Sequence, residues 1–198
     1  MLPSIILQIW LDAPIDDRAK PFMQTAKGMA LNYNLWTNDN VWPVVGKTRF
    51  EFADYWKLDP TNAVALSDVL RIFLVKQFGG FYLDADIELF KHVSTYQNNS
   101  FVTTTSCPKI AISKINALTI MNDFFGAVKG HPLLDMIISE METRKNLTDH
   151  WTRRIGYLMF GEVVVKNNGA DILLLDYGQT RTFAKHHQFA SWVSEYGQ

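Results

Sequence analysis

We predict an α/β fold with a mostly parallel central sheet, because strand-like and helix-like segments alternate along the 198-residue chain. The clearest helix pattern runs from Asn62 to Phe78 and ends at Gly79-Gly80, directly before the apolar segment Phe81–Leu83. A short apolar run, Ser4–Leu11, is typical of a buried first strand. In sheets of this kind ligands bind at the carboxyl ends of the strands, so the residues after Leu83 are the first candidates for a functional site.

Two further helices and one further strand are predicted in the first half of the chain. Residues 16–30 have a helical pattern, and Tyr33–Thr37 is a short strand that ends at the turn formers Asn38-Asp39-Asn40. The segment Glu51–Lys57 has a short helical pattern. These segments continue the alternation that an α/β fold requires.

The second half of the chain continues the same alternation. Ile87–Phe90 is predicted to be extended, and the threonine-rich segment Phe101–Ser106 is a predicted strand. His131–Lys145 is a predicted helix with Pro132 in its first turn, where a missing amide hydrogen is tolerated. The last predicted elements are one helix and two strands: Phe160–Lys166, Ile172–Leu175 and Arg181–Ala184.

The composition predicts one globular domain over residues 1–198. The 22.7-kDa chain is 47% hydrophobic, 13% aromatic and 20% charged, which gives it enough apolar surface to exclude disorder. The formal net charge of −1 leaves no basic surplus for binding nucleic acid by counterion release. The single cysteine, Cys107, excludes an internal disulfide and a zinc site built on cysteines.

The sequence also leads to an expectation about location. The apolar run Ile5–Leu11 is preceded by no lysine or arginine, and the first basic residue is Arg18, so the basic region of a signal peptide is missing. No run approaches the roughly 18 apolar residues of a membrane span. We therefore expect a cytoplasmic protein without a membrane span, in the host cytoplasm if the chain is viral. We also expect a monomer.

Asp84-Ala85-Asp86 follows the apolar segment Phe81–Leu83 and is the first candidate functional motif. On a strand, alternate side chains share one face, so Asp84 and Asp86 are expected to point the same way. Two adjacent carboxylates repel each other unless a cation lies between them, and oxygen ligands suit Mg²⁺ or Mn²⁺. The alternative is a solvated strand end with two exposed acids, which the triplet alone does not exclude.

Asp68 and Arg71 lie three residues apart on the predicted helix, which places them on one of its faces. They could form a surface ion pair, worth at most about 1 kcal/mol. Alternatively, both reach the pocket of the Asp-x-Asp triplet, because Gly79-Gly80 turns the chain back and packs the helix beside the strand. Arginine would then bind hydroxyls or phosphates of a ligand with its planar fork, and aspartate would accept hydrogen bonds from hydroxyls.

The stretch Ala63–Leu89 resembles the sugar-binding region of GT-A glycosyltransferases that contains the Asp-x-Asp motif. The shared pattern is S-D-x-x-R followed by G-G-x-Y-x-D-x-D, and the spacing from Ser67 to Asp86 matches it without a gap. The similarity is to family 32, to the glucosyltransferase domain of large clostridial toxins and to compact glycosyltransferases of algal large DNA viruses. It implies a GT-A (Rossmann-like) three-layer α/β/α fold and a glycosyltransferase of the hexosyltransferase type.

Four other segments resemble the family in the same order along the chain. Ile5–Asp12 is similar to its opening I-I-H-Q-I-W-x-G, and residues 33–38 are similar to its second strand. Asn122 followed by His131-Pro132 is similar to a segment that ends in G-H-P, and residues 186–192 are similar to the ending H-x-x-x-x-S-W. The resemblance therefore touches most of the chain.

The resemblance implies a divalent metal site that takes Mn²⁺ or Mg²⁺. Its ligands would be Asp84, which would also contact the ribose, together with Asp86 and His186. His187 is the second choice for the third ligand, and a histidine at either position could instead have a structural role. Asp84, Asp86 and Arg71 are accordingly the predicted catalytic residues.

The resemblance also implies a site for a nucleotide sugar, with a UDP-sugar as the first choice. Trp10 would stack on the base, although a tryptophan at this position could instead belong to the core. Asp68 and Arg71 would hold the hydroxyls of the sugar, and Ser191 and Trp192 would close over the diphosphate. The complete predicted donor set is Gln8, Ile9, Trp10, Ser67, Asp68, Arg71, Tyr82, Asp84, Ala85, Asn122, Ser191 and Trp192.

The implied reaction is transfer of the sugar, with retention of configuration, to a hydroxyl group of a glycan or glycoprotein acceptor. The segment Ile155-Gly156-Tyr157 stands where family members often have Thr-Gly-Pro, which leaves the acceptor side open. One alternative is a phosphatase or phosphotransferase of the haloacid-dehalogenase type, which has Thr or Val where Glu88 stands here. A sugar nucleotidyltransferase would need a glycine-rich loop that residues 11–18 lack. A non-catalytic module that binds sugar nucleotides is a third alternative.

Overall fold

The structure is a computed structural model that describes residues 1–11, 14–105, 120–167, 169 and 171–187. The strands in these ranges are β1 Ile5–Trp10, β2 Asn32–Thr37, β3 Gly80–Leu83, β4 Ile87–Leu89, β5 Phe101–Thr105, β6 Ile120–Ala127, β7 Ile172–Leu175 and β8 Ala184–His186. The helices are α1 Lys20–Gly28, α2 Val41–Val45, α3 Arg49–Trp56, α4 Ala63–Phe78, α5 Pro132–Arg144, α6 Trp151–Arg154, α7 Tyr157–Lys166 and α8 Tyr177–Phe183. A 3₁₀ turn spans Val93–Tyr96.

Six of these strands form the central sheet, in the order β2-β1-β3-β6-β5-β7. The pairs β1–β2, β1–β3 and β5–β7 are parallel, whereas β6 is antiparallel to both of its neighbours. Five of the six strands therefore share one direction, and β6 runs the other way. The prediction of an α/β fold with a mostly parallel central sheet is confirmed. β4 and β8 form a separate antiparallel pair.

Apolar side chains cover both faces of the central sheet. On one face Leu7 and Phe125 pack with α3, α4, α5 and α7 in the larger hydrophobic cluster. On the other face Ile6 and Phe124 pack with residues of α1, α8, β4 and β8 in the second cluster. Because neighbouring residues of a strand point to opposite faces, each strand contributes to both clusters. The sheet is thus the middle layer of three.

The connection from α4 to β3 determines how the helix lies against the sheet. Asn62 caps the start of α4 by accepting a hydrogen bond from the backbone N–H of Ala65, and Gly79 ends the helix with φ +70°. Gly80 follows with φ +101°, and a Cβ at this position would lie 2.6 Å from the carbonyl oxygen of Ile5. This turn folds α4 back onto the sheet, and both glycines are required by conformation and by space, since a Cβ at Gly79 would lie 2.8 Å from the backbone nitrogen of Lys129.

Some predicted elements need correction. Residues 177–183 form α8, not a strand, because Asp176 and Gln179 form a capping box that starts a helix; the strand begins only at Ala184. No element was predicted for residues 120–127, which form β6, or for Val41–Val45, which is α2. β6 was missed because its residues show no regular alternation between apolar and polar side chains.

Several expectations concern residues outside the described ranges. Ser191 and Trp192, which were predicted to close over a diphosphate, are among them, as are Asp12 and Cys107. Within the ranges that the structure does describe, no helix has both the length and the apolar character needed to cross a membrane. The predicted strand Phe101–Ser106 is confirmed as far as Thr105, where the described range ends.

The turn between α4 and β3 can be tested with two glycine substitutions. We expect Gly80→Ala to lower the free energy of unfolding by about 2 to 4 kcal/mol, because the new methyl group meets the Ile5 carbonyl and φ is positive. Gly28→Ala is the matched control. Among the residues that the structure describes, none has a heavy atom within 4 Å of its Cβ position, so stability should stay equal or rise by up to about 1 kcal/mol. Urea denaturation measures both, and equal stability of the two variants would contradict this role of Gly80.

Candidate functional site

The Asp-x-Asp triplet forms a tight turn at the carboxyl end of β3. The Ile87 N–H donates to the Asp84 carbonyl at 3.1 Å, which closes the turn. The Asp84 N–H donates to the Asp123 carbonyl on β6 at 2.8 Å, and the Gln8 side chain donates to the Asp84 carbonyl at 3.1 Å. The expectation that a strand aligns the two carboxylates is therefore wrong, because β3 ends at Leu83 and the turn brings them together instead.

Asp84, Asp86 and His186 lie together at this turn. One ligand atom of each residue can be chosen so that all three lie within 4.8 Å of one another. His186 reaches the turn because β8 pairs with β4 and places it opposite Ile87, and its Nε2 lies 3.1 Å from Asp86 Oδ1. All three side chains are partly exposed. Two carboxylates and an imidazole are a donor set that fits a divalent cation such as Mg²⁺ or Mn²⁺.

His186 is held on both ring nitrogens by carboxylates. Nδ1 donates to Asp123 Oδ2 at 2.8 Å, while Nε2 faces Asp86. Burial alone would lower the pKa of His186, but hydrogen bonds to Asp123 and Asp86 and the charges of Asp123 and Asp84 raise the pKa to about 11. The imidazole is therefore a cation in this arrangement, and its Nε2 proton occupies the place that a metal ion would take.

A buried group of polar side chains lies beside the turn, on α4. Asp68 and Arg71 are each only 4% exposed, so the alternative of a surface ion pair is wrong. Arg71 Nη2 lies 3.2 Å from Asp68 Oδ1, and Asn122 Nδ2 on β6 donates to the same oxygen at 2.8 Å. Burial raises the pKa of Asp68 to about 6, although the charge of Arg71 and the hydrogen bond from Asn122 lower it.

Arg71 and Tyr82 connect this buried group to the turn. Arg71 Nη2 lies 3.3 Å from Asp84 Oδ1, and the Tyr82 hydroxyl donates to the same oxygen at 2.7 Å. The guanidinium also lies over the Tyr82 ring, 4.5 Å from its centroid. Burial raises the pKa of Tyr82, which keeps its hydroxyl protonated as a donor. The remaining guanidinium contacts are with the Asn122 carbonyl and with the carbonyl and hydroxyl of Ser67.

Gly156 packs closely against Asp68. A Cβ at this position would lie 2.8 Å from Asp68 Oδ2 and 2.8 Å from Thr152 Cα. The backbone of Gly156 has φ −93°, which other residues adopt readily, so glycine is needed here for room and not for conformation. Asp68 Oδ1 accepts the hydrogen bond from Asn122 and forms the ion pair with Arg71, and Oδ2 is the oxygen that faces Gly156.

Residues of β1 support the Asp-x-Asp turn. Gln8 is fully buried; its amide nitrogen binds the Asp84 carbonyl and its oxygen accepts from the Tyr33 hydroxyl at 2.8 Å. Trp10 is partly exposed and packs against the small cluster that contains Ala85, so it is not part of the main core. The structure thus brings most of the predicted donor residues to one end of the sheet, and it places Gln8 as a support of the turn.

The two adjacent histidines have different surroundings. His187 lies outside the acidic cluster: its Nε2 is 2.9 Å from Glu88 Oε2, and its ring stacks on Phe22 with centroids 4.0 Å apart. His186 is therefore the better candidate for a metal ligand. Asp123 was missed by sequence reasoning. Its position directly after Asn122 was the only local signal, because its contact with His186 joins residues 63 positions apart.

Residues 16–105 match the family described as the glycosyltransferase sugar-binding region containing the DXD motif. An uncharacterized glycosyltransferase of Acanthamoeba polyphaga mimivirus is 26% identical to this chain. The alignment covers 98% of this chain and 84% of the viral protein. Two Schizosaccharomyces pombe proteins named inositol phosphoceramide mannosyltransferases 2 and 1 are each 24% identical over 76% and 71% of this chain. The chain spans only 41% and 43% of those two proteins.

Two solved structures share the fold. The PaToxG glycosyltransferase superimposes with a TM-score of 0.61 over 84% of this chain and 69% of its own, at 15% identity. A glycosyltransferase involved in the glycosylation of the major capsid of PBCV-1 superimposes with a TM-score of 0.53 over 88% of this chain and 82% of its own, at 11% identity. The resemblance to GT-A glycosyltransferases of the DXD type is therefore confirmed. In sequence and in fold the chain is therefore similar to glycosyltransferases.

The two histidines offer a direct test of the metal cluster. We expect His186→Ala to weaken Mn²⁺ binding at least tenfold, because it removes one of the three candidate ligands. His187→Ala is the matched control and should leave the affinity within about twofold of the wild type. Isothermal titration with Mn²⁺ alone measures both. A larger loss in His187→Ala than in His186→Ala would contradict the assignment.

The buried carboxyl of Asp68 makes a prediction about stability and pH. Its folded pKa of about 6 lies above the ordinary value of 3.8, so the folded protein binds the proton more tightly than the unfolded chain does. The wild type should therefore lose stability relative to Asp68→Asn as the pH rises from about 4 to 6, by the order of 3 kcal/mol. Denaturation at several pH values measures the difference. A stability difference between the wild type and Asp68→Asn that does not change with pH would contradict this prediction.

Proposed function

We propose that the protein is a metal-dependent glycosyltransferase that moves a sugar from a nucleotide-sugar donor to a hydroxyl group of a glycan or glycoprotein. The observation that carries this proposal is the convergence of two adjoining groups at one end of the sheet. One is the partly exposed cluster of Asp84, Asp86 and His186, which suits a divalent cation. The other is the buried pair Asp68 and Arg71 on α4. A UDP-sugar is the first candidate donor, as the resemblance implies.

The metal cluster would bind the diphosphate side of the donor. Asp84, Asp86 and His186 would hold Mn²⁺ or Mg²⁺, and Asp84 would also contact the ribose. The bound cation supplies positive charge that stabilises the diphosphate leaving group as its bond to the sugar breaks. Asp84 is held for this task by two contacts to its Oδ1, from Tyr82 and Arg71, which leave Oδ2 for ligands.

The buried pair would act on the sugar side of the donor. Asp68 Oδ2, which lies beside Gly156, would accept a hydrogen bond from a sugar hydroxyl. Asn122 orients that carboxylate through its other oxygen. Arg71 is buried with its guanidinium on protein groups, so we assign it the task of positioning Asp68 and Asp84.

The first strand would bind the nucleoside. Trp10 is partly exposed beside Ala85 of the turn, which suits stacking on a base, and the backbone of Ile9 would pair with the base edge. Gln8 would contribute by supporting the turn through the Asp84 carbonyl. The resemblance favours retention of configuration at the transferred sugar, with the departing phosphate accepting the proton of the acceptor.

The three alternative functions differ in how well they agree with these observations. A haloacid-dehalogenase phosphatase would use the first aspartate of the triplet as a nucleophile, but here Asp84 Oδ1 is held by Tyr82 and Arg71 and the family match is to glycosyltransferases. A sugar nucleotidyltransferase has no support from the family match either. A module that binds sugar nucleotides without turnover would share all of these contacts, so it is an outcome of the experiment below.

Binding of UDP with and without Mn²⁺ tests the proposal. We expect wild-type protein to bind UDP only weakly without metal and at least tenfold more tightly with it, because the cation links the carboxylates to the phosphates. Asp86→Ala should abolish this gain. Asp54→Ala, an exposed aspartate on α3, is the control and should behave as the wild type does. Isothermal titration calorimetry measures all of these affinities.

Each outcome has a defined meaning. UDP binding that depends on neither the metal nor Asp86 would refute the metal site. Binding without hydrolysis or transfer of any sugar would favour the non-catalytic module. If UDP does not bind, GDP is the next nucleotide, with GDP-mannose among the donors because two relatives are named mannosyltransferases. Failure with every nucleotide would refute the proposed function.

A further inference from the structure

β6 interrupts its pairing with β5 beside the metal cluster. Thr103 pairs with Phe125, but the next residue, Thr104, pairs with Met121, so three residues of β6 have no ladder partner on β5. The Thr103 hydroxyl donates to the Met121 carbonyl at 2.8 Å and takes the place of a ladder hydrogen bond. Irregularities of this kind redirect side chains and are frequent next to active sites.

The interruption directs two consecutive side chains of β6 to the two parts of the site. Asn122 reaches Asp68 on α4, whereas Asp123 reaches His186 on β8. Phe124, the next residue, packs in the cluster that includes Ala184 of β8, so Asp123 and Phe124 face the same side of the sheet. A regular strand would place them on opposite sides. The register shift is thus what brings Asp123 to the histidine.

We propose that Asp123 is a positioning residue for the metal site. Its carboxylate binds the Nδ1–H of His186 and so directs Nε2 at the cation that Asp84 and Asp86 would hold. This inference rests on the metal site of the proposed function. A histidine binds a metal through a ring nitrogen that carries no proton, so the remaining proton must be on the other nitrogen, and a carboxylate acceptor fixes it there.

The geometry fits this role in three respects. Asp123 Oδ2 lies 2.8 Å from His186 Nδ1, and the opposite nitrogen already faces Asp86 Oδ1 at 3.1 Å. Asp123 is 8% exposed, so little water competes for its carboxylate. Its other oxygen lies 3.4 Å from the Thr104 hydroxyl, and its backbone carbonyl accepts the Asp84 N–H. The residue therefore fixes the histidine ligand and the turn of the carboxylate ligands at the same time.

A neighbouring pair offers a matched control. Glu88 Oε2 lies 2.9 Å from Nε2 of His187, so it is also a carboxylate bound to a histidine of the same segment. His187 lies outside the metal cluster. Asp123→Asn and Glu88→Gln each replace a carboxylate by an amide of the same size next to a histidine. Only the first variant should affect metal binding if the role of Asp123 is as proposed.

The experiment is a double-mutant cycle on the affinity for Mn²⁺ alone. We expect Asp123→Asn to weaken binding by 10- to 100-fold, the range typical for groups that orient a metal ligand, and Glu88→Gln to change it by less than twofold. In the His186→Ala background, Asp123→Asn should have little further effect, because it acts through that histidine. An equal loss in both backgrounds would show a simple charge effect and overturn the proposal, as would no loss in the single variant.

A second measurement needs no substitution. Nitrogen-15 spectra of the histidine rings with bound Zn²⁺, a diamagnetic probe, report which ring nitrogen carries the proton. We expect the proton of His186 on Nδ1 and the metal on Nε2, and the reverse assignment would overturn the proposal even if Asp123→Asn failed to fold. Absence of metal binding by the wild type would refute the metal site itself. Wild-type binding that Asp123→Asn leaves unchanged would refute only the role of Asp123.

Discussion

The buried guanidinium of Arg71 is the constraint on which the site depends. Removing a charge from water costs several kcal/mol unless partners surround it, and Arg71 is 4% exposed. Burial alone would lower the pKa of Arg71, but the negative charges of Asp84 and Asp68 keep it raised. The partners come from α4, from the turn after β3 and from β6, where the Asn122 carbonyl accepts at 2.9 Å. Satisfying this one cation therefore fixes three elements relative to one another.

The charges of the whole site favour the binding of a cation. The carboxylates are Asp68, Asp84, Asp86 and Asp123, and the cations are Arg71 and protonated His186. Four negative and two positive charges leave the site with two negative charges in excess. A diphosphate would be repelled by this surplus. A divalent cation that took the place of the Nε2 proton of His186 would change the charge from −2 to −1 and would offer a positive centre to phosphate oxygens. The surplus of negative charge is therefore consistent with the metal site that we propose.

Local sequence patterns predicted the part of the site that is built from neighbouring elements. Asp68 and Arg71 lie on one helix, which only a glycine turn and one short strand separate from the triplet at Asp84. The spacing offered a shared pocket as one of two alternatives, and the family resemblance favoured it. The strand alternation expected for the triplet was wrong, although the turn has the same effect. Asp123 could not be found in this way, because its orientation follows from a register shift between β5 and β6 and from pairing with β8. Such long-range pairings produce no periodic pattern in the sequence.

β8 shows how closely fold and site depend on each other. Its backbone pairs with β4 over three residues only, so the side chain of His186 contributes much of what fixes its position, through Asp123 and Asp86. The neighbouring His187 reinforces the strand from the other side by stacking on Phe22 of α1 and binding Glu88. The histidine that can offer a nitrogen to a metal is therefore also an anchor of the strand that carries it. If a metal ion took the place of the proton between His186 and Asp86, the strand would keep that anchor, because Nδ1 would still contact Asp123 and only Nε2 would change its partner.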